Sequence, residues 1–213
     1  MGFIIMTNIK LNKTQLGRSM IEMLGVLSIV GVLSIGGIAG YVKASHQLRT
    51  NKLKDDISHL IANIRTVFYV QNNYDALSVI AAINSGIVPE YMIAEDGVHM
   101  VNRKKGSILI GPAATNLNES GAFILIFNGL DSKTCHSLAS ESWGSDVQTG
   151  FLGMTIKKDG DLTVATSKMT DETFQTDDTT FNAIDLPQAL ITSSYESCNC
   201  GSMDVCSIAW KFL

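Results

Sequence analysis

Met23–Val42 reads MLGVLSIVGVLSIGGIAGYV, twenty residues without a single charge, and the rest of the chain is best understood outward from it. As a helix rising ~1.5 Å per residue it is ~30 Å long, the thickness of a bilayer's hydrocarbon core. The segment is expected to enter a membrane. Gly25, Gly31, Gly36, Gly37 and Gly40 are numerous for a helix that must be stable. Gly36-x-x-x-Gly40 is a small-residue spacing that lets two helices approach closely. Gly36-Gly37 lowers the cost of a bend or a local unwinding.

On the N-terminal side Lys10, Lys13 and Arg18 precede the span, and no acid precedes Glu22. The positive-inside bias then keeps the N-terminus cytoplasmic and exports everything after Val42. A secretory signal would end in a small-residue cleavage site beyond the apolar run. Here the polar stretch KASHQLRTNKLKDD continues instead. Glu22 stands at the edge of the span, where a carboxylate is costly unless it finds a partner.

On the C-terminal side Leu53, Ile57, Leu60, Ile61, Ile64, Val67 and Phe68 recur at helical period, with charges opposite. That is one apolar stripe, suited to packing on a sheet. A short helix is expected over Asp75–Asn84, stopped by Gly86 and Pro89. Ser107–Ile110, Ala122–Phe127, Phe151–Ile156 and Leu162–Ala165 are rich in β-branched or aromatic residues and predict strands. Lys157–Asp161 predicts a hairpin turn between the last two. Ser132–Ser140 and Leu186–Cys198 predict helices, and Val205–Phe212 a closing strand. The order gives an α+β head carrying an antiparallel sheet.

The 213 residues suffice for one domain with an accessory segment. An apolar fraction of 46% against 17% charged excludes a disordered chain. A net charge of −4 offers no basic field for a phosphate backbone, so no nucleic-acid partner is expected. The even cysteine count, Cys135, Cys198, Cys200 and Cys206, suits two disulfides in an oxidising compartment. Their spacing lacks the paired couples of a zinc site, and Asp159 and Asp161 lack the spacing of a calcium loop, so no metal is expected.

Catalysis requires converging groups. The sequence has no G-x4-G-K-[ST] loop, no G-x-S-x-G and no H-E-x-x-H. His46, His59, His99 and His136 are scattered. His136 beside Cys135 would activate a thiolate only if that cysteine were free, and a structural cystine is the expectation. Asp171, Glu172, Asp177 and Asp178 among threonines read as a solvated loop. Neither an enzyme nor a cofactor is expected.

Gly17-Arg18-Ser19-Met20-Ile21-Glu22, a basic leader before it and a Gly-rich span after it together resemble the prepilin peptidase site of type IV pilins and pseudopilins. The resemblance implies cleavage after Gly17 by that peptidase, removing residues 1–17 as a cytoplasmic leader. Arg18 then begins the mature chain, where the family usually has Phe or Met. Residues 18–42 become the transmembrane and filament-core helix, and 43–213 the exported head with the amphipathic half of the helix. In the family the new α-amino group, often methylated, is the proposed partner of the glutamate on a neighbouring subunit. That carries over to Arg18 and Glu22, with Gly36 and Gly40 packing the helices.

The longer, type IVb-like pilins also resemble the later segments: the long leader, Gly86-x-x-Pro89, and Cys135 on a helix before a Cys-bearing tail. Their C-terminal disulfide would join Cys135 to Cys198 or Cys200. Four cysteines permit three pairings and the sequence does not choose. Cys135–Cys198 with Cys200–Cys206 is the expectation carried forward. The implied function is a structural subunit of a homo-oligomeric helical filament. It would be served by the assembly machinery, held in the inner membrane as precursor and then displayed as a pilus on the bacterial surface. The alternatives are a pseudopilin or minor pilin of a type II secretion or DNA-uptake system, and a monomeric membrane-anchored binding domain.

Overall fold

Helix α1 runs Lys13–Phe68 and passes through Gly36 and Gly37 without a break. The molecule is a computed structural model that describes residues 13–213 except 69, 70, 72, 145–149, 173–176, 178, 183–193, 202 and 203. It divides into two units, Met1–Leu48 and Arg49–Leu213. The described residues of the first, 13–48, are the N-terminal part of α1. The second is a head, in which Leu53, Ile57, Leu60, Ile61, Ile64 and Phe68 of α1 are buried. Val67, expected in the same stripe, is 41% exposed. At ~100° per residue it falls at the edge of the stripe.

Beyond α1 come α2 (Val79–Asn84), a 3-10 turn (Glu90–Met92), β1 (Met100–Val101), β2 (Ser107–Thr115), β3 (Asn118–Leu130), α3 (Ser132–Ala139), β4 (Phe151–Lys158), β5 (Thr180–Asn182), a helical turn Ser194–Ser197 and β6 (Cys206–Phe212). Of the helix expected over Leu186–Cys198, residues 186–193 lie outside the described residues. Helix α2 starts later than expected because Ser78 caps it, accepting from the Ala81 N–H at 3.1 Å. Asp131 caps α3 in the same way through Thr134.

The six strands form one sheet in the order β1-β2-β3-β6-β4-β5, every neighbouring pair antiparallel. The last strand lies in the middle, with Trp210 opposite Leu125 on one side and Met154 on the other. All seven β6 residues and the run 122–128 of β3 are buried. These are the central strands, covered on both faces. On one face Phe123, Leu125, Phe127, Ile208, Trp210 and Phe212 join the α1 stripe in the main core. On the other, Ala122, Ile124, Ile126 and Ala209 meet Leu162 and Met169.

That second contact corrects the expected strand at Leu162–Ala165 and the hairpin at Lys157–Asp161. Residues 161–172 are an irregular strap laid on the sheet's second face. Asn128 holds it at both groups of one residue: its Oδ1 accepts from Leu162 N–H and its Nδ2 donates to Leu162 O, each at 3.0 Å. The Ala114 N–H donates to Thr170 O at 2.8 Å, and Lys211 Nζ to Asp171 O at 2.5 Å. The apolar residues of the strap alternate because they cap a face, not because they extend the ladder.

Candidate assembly site

Between Met20 and Val42 the large apolar side chains of α1 are 52% to 75% exposed. Leaving that much hydrocarbon in water is unfavourable by ~25 cal/mol per Å², so this surface requires lipid or protein cover. The stretch is long and apolar enough to cross a bilayer. A side-chain carbon added at Gly25, Gly31, Gly36, Gly37 or Gly40 would meet nothing within 4 Å. Among the described residues no packing therefore accounts for these five glycines. Gly36 and Gly40 lie one turn apart on this open surface, and the Glu22 carboxylate is exposed at its N-terminal end. Gly17 and Arg18 fall within the helical stretch.

The cysteines occupy the opposite end of the sequence. Cys135 on α3 is bonded to Cys198, and Cys200 to Cys206 at the start of β6, with Cα–Cα separations of 5.6 and 5.1 Å. No described cysteine is free. Cys135 therefore offers His136 no thiol to activate. Described residues on either side of Cys206 meet the turn after β4: Gly160 N–H reaches Val205 O, and Ser207 Oγ donates to Gly160 O at 2.8 Å. A Cβ at Gly201 would fall 2.1 Å from Asp159 Oδ2, so only glycine fits this contact at its φ of +61°.

Among the described residues no three histidine, cysteine or acidic side chains gather as a metal site. His46 is half-buried and His59 and His99 exposed, far apart in sequence. Asp171, Glu172 and Asp177 are exposed, as expected of a solvated loop, and Asp177 pairs with Lys168 at 3.0 Å; Asp178 lies outside the described residues.

Residues missed by sequence reasoning form a half-buried ion pair in the head. Asp56, 3% exposed on α1, accepts from Arg103 Nε at 2.6 Å, Arg103 Nη2 at 3.0 Å and Tyr91 Oη at 2.7 Å. The Arg103 guanidinium also lies 4.6 Å over the Tyr91 ring. An acid on the apolar side of the stripe, at Leu53 plus three, was the available signal.

Residues 47–184 match the family described as PilS N terminal, well over half of the chain. The chain belongs to the type IV pilin family. Among solved structures this pilin is similar to TcpA, a type IV pilin from Vibrio cholerae El Tor biotype. The TM-score is 0.54 at 18% identity, over 78% of this chain and 99% of that one. At such identity the likeness concerns the fold: a long N-terminal helix on an antiparallel sheet. No curated protein matches the sequence. As a pilin it is a structural, non-enzymatic protein with an N-terminal apolar helix and disulfide bonds.

Proposed function

We propose that this pilin is the structural subunit of a type IV pilus-like filament, cut after Gly17 by prepilin peptidase and assembled through its N-terminal helix. The precursor sits in the inner membrane with 23–42 as its span, and the filament stands on the bacterial surface. The observation that carries the reading is the open apolar surface of α1, with five glycines whose missing side chains no contact among the described residues explains. Close helix–helix approach between copies gives both features a use.

Leaving the bilayer must be offset by packing, and Glu22 must be neutralised when water and headgroups are lost. The new α-amino group at Arg18 of a neighbouring copy supplies the cation. Glu22→Ala is therefore expected to leave membrane insertion and cleavage intact and to lower sheared-filament yield at least about tenfold, since an intramembrane charge pair contributes a few kcal/mol. Wild-type filament yield from that variant would remove the pairing role.

A further inference from the structure

The two disulfides of the head have different surroundings. All four half-cystines are buried, Cys198 at 1% exposure and the others at 0%, and Cys200 Sγ is further enclosed by the carbonyls of Cys198 at 3.4 Å and Leu130 at 3.8 Å. Beside the other bond a cleft of about 450 Å³ opens, lined by Ser132, Lys133 and His136 of α3 together with Cys198 and Asn199. Cys198 is the only half-cystine that lines it.

The polar groups of the cleft divide by what already occupies them. The Ser132 hydroxyl donates to Asp204 at 3.0 Å. Asp131, the α3 cap, is ion-paired with Lys104, so its charge is offset. Lys133 is exposed and makes no hydrogen bond or ion pair among the described residues. It stands three residues, one turn, before His136, which also lines the cleft. A cation at the mouth favours an anionic visitor, and the anion that reacts with a disulfide sulfur is a thiolate.

We propose that this cleft is a thiol-exchange site, which makes Cys135–Cys198 the exchangeable bond of the pilin and leaves Cys200–Cys206 locked. A thiolate entering the cleft attacks Cys198 Sγ. The Cys135–Cys198 bond breaks, a mixed disulfide forms at Cys198, and the electron pair leaves on Cys135. Cys135 is the fourth residue of α3, where the helix's N-terminal dipole favours the leaving thiolate. The second thiol of a dithiol reagent then displaces Cys198. The reagent ends as a disulfide, and both pilin cysteines end as thiols.

The test uses the full chain in detergent, treated with limiting dithiothreitol, alkylated, and mapped by peptide mass spectrometry. Cys135 and Cys198 should become labelled at least about tenfold faster than Cys200 and Cys206, reflecting access by the thiolate. Glutathione, a monothiol, should leave its adduct on Cys198, and Lys133→Glu should slow the first reduction several-fold without changing the melting temperature. Equal rates for the two bonds, prior opening of Cys200–Cys206, an adduct on Cys135, or an unchanged rate in Lys133→Glu would each overturn the proposal.

Discussion

Asp56 carries a charge into the side of α1 that faces the core, and only its partners make that tolerable. With Arg103 and Tyr91 in place its oxygens are satisfied. Asp56→Ala would strand the guanidinium against the helix. Because the Arg103 side chain keeps 35% of its surface in water, the cost should be about 2 kcal/mol, below the range for a fully buried pair. Urea unfolding of the two proteins measures it. Asp131 supplies a prediction in pH. Desolvation raises its pKa, but Lys104 and the Thr134 N–H and hydroxyl outweigh it and hold the carboxyl at about 2. A depressed folded pKa means stability that is present above the ordinary carboxylate value of about 4 and lost as pH falls from there towards 2. Asp131→Asn should therefore flatten part of the acid-side fall in melting temperature over that window. Asp96 and Asp177, shifted in the same direction, will retain the remainder. Neither Asp56 nor Asp131 could be paired from sequence, because their partners lie 47 and 27 residues away in loops whose path only the fold defines.

At the scale of elements, what the sequence revealed was whatever has a period. The α1 stripe was legible because Leu53, Ile57, Leu60, Ile61, Ile64 and Phe68 recur at helical spacing, and all six are buried. The run Ala122–Phe127 was legible as a strand because β3 is covered on both faces. The two-residue β1 and three-residue β5 carry too few residues to show alternation. The strap 161–172 imitated a strand by alternating Leu162 and Val164, and its true role depends on Asn128 and Lys211, distant in sequence. Burial of Lys211 lowers its pKa and the charge of Asp171 raises it, while its ammonium donates to the carbonyl of that same strap residue. The cystines belong to this scale as well. They close loops with sequence separations of 63 and 6 residues. Chain-entropy reasoning gives the longer loop about 4 kcal/mol and the shorter about 2 kcal/mol. The double variant Cys135→Ser/Cys198→Ser should thus lose more stability than Cys200→Ser/Cys206→Ser, a comparison that denaturant midpoints on the oxidised proteins will decide.

For the whole molecule, the head buries its own stripe apart from Val67, and the Met20–Val42 surface is left for something else to cover. The charge-free span was legible, because length and apolarity are properties of the linear sequence. The central position of β6 was not, since a C-terminal strand between β3 and β4 is set by pairings that span most of the head. The central claim is that one cut frees the helix to leave the bilayer for a filament. It is tested most directly by the intact mass and N-terminal sequence of the protein from native membranes and from sheared surface material. The account predicts a chain beginning at Arg18 in the sheared fraction. An uncut chain confined to the membrane would contradict it and return the protein to a simple anchored domain.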